Sequence, residues 1–367
     1  MQGDAFQAFV PRPLPPVPPV RVDQALLERA QRAVRRLDGL SHLLPDTSLF
    51  VYSYVRKEAL VSSQIEGTQA SFADLLLFET KQAPGVPLAD VRDVSDYVAA
   101  LDQGMDALHA GQPLSVALLR RLHRTLLRST RGREKSPGEL RRRQVWIGGD
   151  RPSRARFVPP PAALVARCMR ELDRFLRGSD LPPLVTIALA HVQLETIHPF
   201  RDGNGRIGRL MISLLLCSSG LLSEPLLYVS VFLKAHRREY YDRLQAVRAE
   251  GDWEGWVRFF LEAVAACSED ALGAARSLLG LFDRNRRQLS ASASALAVFE
   301  RLQKRPIASV AQLQKTTGLT FPTVSAALER MKQLGIVAEL TGRRRNRLFA
   351  YAPYVAILSA GAEPLKR

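Results

Sequence analysis

The sequence predicts a mainly α protein in which a long helical body is followed by a C-terminal winged-helix domain. Two observations carry this. From Asp23 to about Gln288 the apolar residues recur at three- and four-residue spacing, as in Leu26, Leu27, Ala30, Ala33 and Val34, with few alternating stretches. Near Leu289 the composition turns to Ser-Ala-Ser-Ala-Ser-Ala and a different rhythm begins. A chain of 367 residues with 46% apolar side chains can build more than one core. The expected divisions are an arm and helical region over 1–110, a central helical domain over 111–288 and the winged helix over 289–367.

Taken in order, the prolines from Pro11 to Pro19 impose an extended, polyproline-like arm, expected to lie across its own domain, with a recognition ligand as the alternative. In the last segment, helices are expected over Ala295 to Gln303, Ser309 to Thr317 and Thr320 to Leu334. Gly318 and Gly335 stand where helices stop, and Ser309 and Thr320 where they are N-capped. Ile336 to Leu340 and Leu348 to Tyr351 then read as short strands around the basic tip Thr341 to Arg347. If this winged helix binds DNA, Thr320 to Leu334 enters the major groove while Arg343, Arg344, Arg345 and Arg347 meet phosphates. The recognition segment carries Glu329 beside Arg330 and Lys332, so formation of a homodimer or protein docking through the same module stays open.

The balance of 52 basic over 36 acidic residues leaves a net charge of +16, which favours a polyanionic partner: nucleic acid, nucleotide or acidic protein. Only eight of the basic residues are lysines, so codon usage in a GC-rich genome accounts for part of the excess. Cys168, Cys217 and Cys267 lack CxxC spacing and fit a disulfide framework poorly, and a reducing cytoplasm is expected. Met1 to Val22 has no basic region followed by an apolar stretch and does not read as a signal peptide. The longest apolar run, around Leu210 to Cys217, is too short to span a bilayer, and no membrane partner is expected.

The chemistry lies in His198-Pro199-Phe200-Arg201-Asp202-Gly203-Asn204-Gly205-Arg206-Ile207-Gly208-Arg209, set between the apolar helical segments Leu184 to Ile197 and Ile207 to Leu222. Pro199 disfavours helical geometry at His198, so the first helix should end there with the imidazole at its lip. Gly203 and Gly205 allow a tight turn whose backbone N–H groups form an anion nest at the start of the next helix, a site for phosphate. Asp202 offers a hard oxygen suited to Mg²⁺. Arg206 and Arg209, three apart on that helix, are placed to hold two further phosphates. His198, with an ordinary pKa near 6.5, is largely neutral at pH 7 and available to take a hydroxyl proton. The same glycines satisfy G-x-G-x-x-G, but a dinucleotide site needs a preceding strand, and Leu184 to Ile197 is helically spaced and free of glycine. No G-x-x-x-x-G-K-[ST] occurs.

At every specified position, His198 to Arg209 resembles the Fic family signature HPFx[D/E]GNGRxxR. The resemblance implies an all-helical Fic core with a small flap hairpin, and a protein adenylyltransferase that moves AMP from Mg·ATP onto a Ser, Thr or Tyr hydroxyl of a protein. It implies His198 as general base and Asp202 as the Mg²⁺ ligand. Gly203, Asn204 and Gly205 would hold the α- and β-phosphates, Arg206 the β-phosphate and Arg209 the γ-phosphate. Ile207 and Gly208 are counted with this ATP-binding run, and Phe200 would be a buried anchor.

Ser62-Ser63-Gln64-Ile65-Glu66-Gly67 is similar to the family's inhibitory pattern [S/T]xxxE[G/N]. Glu66 would end a helical run from about Leu49 and Gly67 would close it. A carboxylate on Arg209 occupies the guanidinium that the γ-phosphate needs. Val145, Trp146, Ile147 and Gly148, after Arg141-Arg142-Arg143, resemble the family's flap, an edge hairpin that receives the target peptide as an added strand. Trp146 as a plain core residue is the alternative. Tyr240 and Tyr241 come about one helix beyond the motif, and Tyr241 is favoured for lining the adenine pocket, with a plain packing role as an equal alternative. His42, His109, His123, His191 and His236 form no metal-ligand spacing and are read as structural or exposed. Two other functions stay open: a DNA-binding regulator that senses nucleotide, and removal of AMP from a modified protein with Glu66 positioning water.

Overall fold

The computed structural model describes residues 6–43, 48–80, 86–129, 133–343 and 346–365. Its body is built from α1 (Gln24–Leu43), α2 (Ser48–Ile65), α3 (Phe72–Glu79), α4 (Leu88–His109), α5 (Val116–Leu126), α6 (Ala162–Gly178) and α7 (Pro183–Ile197), followed by α8 (Asn204–Ser218), α9 (Ser230–Ala235), α10 (Arg237–Glu250) and α11 (Trp253–Leu289). Leu27, Ala30, Val34 and Leu37 give α1 a buried stripe at three- and four-residue spacing, which packs along α11. The centre is α7 against α8. From Leu184 to Ile197 every α7 residue but Thr186 is buried, as an apolar helix without a solvent face must be. α8 begins at Asn204, three residues earlier than its apolar spacing suggests, because its first turn is the polar motif itself.

The arm lies across its own domain, as expected. The Phe9 N–H donates to the Val158 carbonyl at 2.9 Å, and the Arg12 carbonyl accepts from Gln193 Nε2 at 2.7 Å.

The C-terminal module runs α12 (Ala293–Lys304), β1 (Ile307–Ser309), α13 (Val310–Thr317), α14 (Phe321–Gln333), β2 (Ala338–Glu339) and β3 (Leu348–Ala350). β3 lies between β1 and β2, antiparallel to both, with Ile307 opposite Ala350 and Glu339 opposite Phe349. This is the winged helix. Ser309 and Gln312 cap α13 reciprocally, and Gly318 closes it at a φ of 74°. Thr320 occupies the N-cap of α14 without making a side-chain cap bond. On α14, Lys332 lies 3.8 Å from Glu329, which offsets part of its charge. Of the tip arginines, Arg343 and Arg347 are described and Arg344 and Arg345 lie outside the described residues. The chain then forms α15 (Ala352–Ser359), which returns to pack on α2, α3 and α11. No helix among the described residues is long and apolar enough to cross a membrane.

Candidate functional site

The site forms where α7 gives way to α8. His198 closes α7 at φ 48° and ψ 61°, a left-handed conformation where Pro199 bars continuation of the helix but by itself favours extended backbone, and such strain in a non-glycine residue clusters at functional positions. Arg141, buried, holds the corner: its Nε donates to the His198 carbonyl and its N–H to the Pro199 carbonyl, both at 2.9 Å. Asn204 staples the loop from within. Its Oδ1 accepts from the Phe200 N–H and its Nδ2 donates to the Phe200 carbonyl, each at 2.9 Å. Phe200 is the buried anchor expected of it and stacks on His123 with ring centroids 3.7 Å apart. The Gly138 N–H donates to His123 Nδ1, which leaves the ring proton on Nε2 to be donated to the Asp202 carbonyl at 2.9 Å. Burial pushes the His123 pKa down to about 4, so the ring stays neutral in this role.

Past the anchor, the Gly203 φ of 75° turns the chain into α8, and Asp202 Oδ1 accepts the Gly203 N–H at 2.7 Å. The first helical bond runs from the Ile207 N–H to the Gly203 carbonyl. The N–H groups of Asn204, Gly205 and Arg206 are therefore free of the helix ladder, at the positive end of its dipole. A cavity of about 340 Å³ opens over them, lined among others by His198, Asp202, Gly203, Arg206, Glu66 and Thr68. Arg206 is buried, and its Nε has no partner among the described residues. Asn204 reaches the cavity through its backbone, because its side chain is occupied with Phe200.

Arg209 is held apart from this cavity. At 1% exposure, its Nη2 donates to Glu66 Oε1 at 2.7 Å and to the Ser62 carbonyl at 2.9 Å, and its Nε to Ser62 Oγ at 2.8 Å. Glu66 follows the last residue of α2, where Gly67 breaks the helix at φ 101°. Burial alone would raise the Glu66 pKa, but Arg209, helped by Arg206, outweighs it and holds the carboxyl below its usual range. The carboxylate sits over the nest so closely that a Cβ on Gly205 would lie 2.2 Å from its Oε1. His198 is half-buried, and burial together with Arg248 pushes its pKa down to about 4, below the ordinary value used in the sequence reading.

Several predicted positions are placed differently. Ile207 and Gly208 do not line the cavity: Ile207 is wholly in the core, and Gly208 faces α7, where a Cβ would meet Glu195 Oε1 at 2.7 Å. Helical rotation carries them away from the nest. Tyr241 is half-buried and tilted against Tyr240 at 5.1 Å, and neither ring lines the cavity. Tyr240 is wholly buried, its hydroxyl 3.0 Å from His191 Nε2. Trp146 is 40% exposed, which removes the core reading. Val145 to Gly148 are joined to the rest by one antiparallel bridge, Ile147 to Phe157, so the hairpin is minimal.

Sequence reasoning missed the supports: His123 and Arg141 beneath the loop, and Glu195 on α7. Glu195 is buried with an unpartnered Oε1, and burial pushes its pKa up to about 7. Nothing in their local sequence marks them.

Comparison with known proteins agrees with this geometry. The Fic/DOC family N-terminal domain matches residues 24–106 and the Fic/DOC family domain residues 113–216. A protein adenylyltransferase Fic from Aedes aegypti is 31% identical over 262 residues, covering 67% of this chain and 47% of that protein. A protein of the same name from Culex quinquefasciatus is 32% identical over 264 residues, again covering 67% and 47%. This chain therefore spans about half the length of these curated relatives. The crystal structure of a Fic family protein from Desulfovibrio desulfuricans superposes over 93% of this chain and 98% of its own, with a TM-score of 0.59 at 19% identity, a likeness of fold.

Proposed function

Because the chain belongs to the Fic/DOC family, we propose that it transfers AMP from Mg·ATP to a hydroxyl of a protein, and that Glu66 restrains the transfer. The observation that carries the reading is Arg209: a fully buried guanidinium beside an anion nest, occupied by a carboxylate from another helix. The name of the mosquito relatives supports the same activity.

In this reading the free N–H groups of Asn204, Gly205 and Arg206 bind phosphate oxygens at the α8 N-terminus, and the Arg206 guanidinium holds the β-phosphate. Arg209 holds the γ-phosphate once Glu66 has left. Asp202 lines the cavity and spends one of its two carboxylate oxygens on the Gly203 N–H. Among the described residues no group of three or more His, Cys, Asp or Glu gathers into a metal cage. One carboxylate completed by phosphate oxygens and water is a donor set that fits Mg²⁺, and Asp202 would hold it, where the ion would neutralise phosphate charge.

His198, kept neutral, takes the proton of the incoming hydroxyl as that oxygen bonds to the α-phosphorus. The bond from the α-phosphorus to the bridging oxygen breaks and pyrophosphate leaves. The acceptor segment docks along the flap at Trp146 to Gly148 as an added strand. The test is labelling with radioactive AMP. Glu66→Gly should label itself or a target much faster than the parent chain, and adding His198→Ala should abolish the labelling. Labelling that survives without His198 would remove the base from the mechanism.

A further inference from the structure

The positive charge of the chain is concentrated where the flap is. Residues 128–156 hold ten arginines and lysines against Glu134, Glu139 and Asp150, so 29 of 367 residues supply +7 of the net +16. Codon usage would spread arginine along the chain and does not produce this clustering. Arg142, Arg143, Arg154 and Arg156 are all exposed, Arg142 at 88% of its side chain. Asp242 pairs with Arg156 at 2.6 Å, but the acids beside the others neutralise little: Glu139 lies 3.8 Å from Arg142, and Asp150 lies 3.6 Å from Arg154.

The backbone says which side is open. Ile147 spends both its N–H and its carbonyl on Phe157, and Phe9 of the arm covers the far edge at Val158. Alternation along the extended stretch therefore turns the N–H and carbonyl groups of Trp146 to the opposite edge, and Gly148, at φ 72°, ends that stretch. Among the described residues, Trp146 makes no backbone hydrogen bond there. An unpaired edge, an exposed indole and flanking arginines are the complement of an extended, acidic peptide.

We propose that the protein substrate presents its acceptor hydroxyl within an acidic segment, which adds to the open edge at Trp146 while its carboxylates meet Arg142, Arg143 and Arg154. This rests on the AMP-transfer reading and narrows its substrate class. A peptide suits the surface better than a nucleic acid, because the open backbone edge matches a strand and has no counterpart in a phosphodiester chain.

The experiment uses the full chain carrying Glu66→Gly and three synthetic peptides with the same acceptor residues, flanked by Glu, by Gln or by Lys. AMP incorporation gives kcat/KM, and fluorescence anisotropy of the dye-labelled peptides gives affinity without catalysis. Three exposed ion pairs at roughly two- to threefold each predict about a tenfold preference for the Glu peptide over the Gln peptide, lost at high salt. The triple variant Arg142→Gln, Arg143→Gln, Arg154→Gln should bring that ratio close to one. Equal binding of Glu and Gln peptides, or a preference that survives the triple variant, overturns the proposal. So does a 20-nucleotide thymidine oligomer that binds in a salt-dependent way at an arginine surface showing no preference among peptides. If anisotropy keeps the preference while no AMP is transferred to any peptide or to the chain itself, the docking surface stands and the AMP-transfer reading fails.

Discussion

Replacing Glu66 separates the inhibitory assignment from a merely structural ion pair. In the resting chain Arg209 is 1% exposed and makes three hydrogen bonds, two to Ser62 on α2 and one to the Glu66 carboxylate just beyond it at 2.7 Å. A charged hydrogen bond contributes about 1.5 to 3 kcal/mol. The Glu66 side chain is 40% exposed, so solvent screening puts the value at the lower end, about 1.5 kcal/mol. ATP that must displace this contact to reach Arg209 therefore loses roughly tenfold in productive binding, at 1.4 kcal/mol per decade. Overlap of the carboxylate with phosphate above Gly205 adds to that, so tenfold is a floor. Glu66→Gly should raise the initial rate of AMP incorporation from α-labelled ATP by about ten- to a hundredfold. Glu66→Gln, which keeps the shape and loses the charge, should fall between. A rise below threefold in Glu66→Gly, with ATP affinity unchanged, would refute the argument that this contact blocks the γ-phosphate.

Three further outcomes follow from the supports of the site. Asn204→Ala leaves the Phe200 N–H and carbonyl buried without partners, about 1 to 3 kcal/mol for each, so the melting temperature should drop by about 5 to 10 °C; a drop under 2 °C would mean the loop is held elsewhere. Gln64, two residues before Glu66, donates to the Ala70 and Ala362 carbonyls and accepts from Lys234 Nζ, all within 2.9 Å. Gln64→Ala should therefore loosen the end of α2 and raise AMP transfer several-fold, less than Glu66→Gly does, and an unchanged rate would show that the tail after α15 does not brace the inhibitory residue. The third outcome concerns acid. His123 and His191 are fully buried and His198 half-buried, all three neutral with pKa values of about 4, about 3 and about 4, while the unfolded chain takes up their protons below about 6.5. Each costs roughly 1.4 kcal/mol of stability per pH unit as pH falls from 6.5 toward 4.5. Glu195, pushed up to about 7, already carries its proton when folded and opposes one of the three over that range, so these four groups leave a net loss of about 2.8 kcal/mol per unit. Denaturation at a series of pH values checks this: Glu195→Gln should steepen the slope by about 1.4 kcal/mol per unit, about half as much again, and an unchanged slope would show that Glu195 is not protonated in the folded chain.

What the sequence made legible was whatever is contiguous or periodic. His198 to Arg209 could be read as base, metal ligand, nest and arginines because the helix end, the turn and the next helix start follow one another within twelve residues. Glu66 was legible because Ser62 to Gly67 resembles the family's inhibitory pattern, with Gly67 marking the end of the helix that leads to it. His123 and Arg141 were not, since each reaches the motif from 57 or more positions away through a side chain whose partner is a backbone carbonyl, and carbonyls carry no residue identity. β1 was missed because three residues are too few to show alternation, and its pairing is decided by β3 some forty positions later.

Arg206 and Arg209 show where linear reading stops. Three positions on a helix differ by about 60° in direction, so one spacing rule assigned both to phosphate. In the folded chain that difference aims Arg206 into the cavity and Arg209 at Ser62 and Glu66 on α2. The motif supplies two cations, and α2, about 140 residues earlier in the chain, determines that only one of them is open to a ligand.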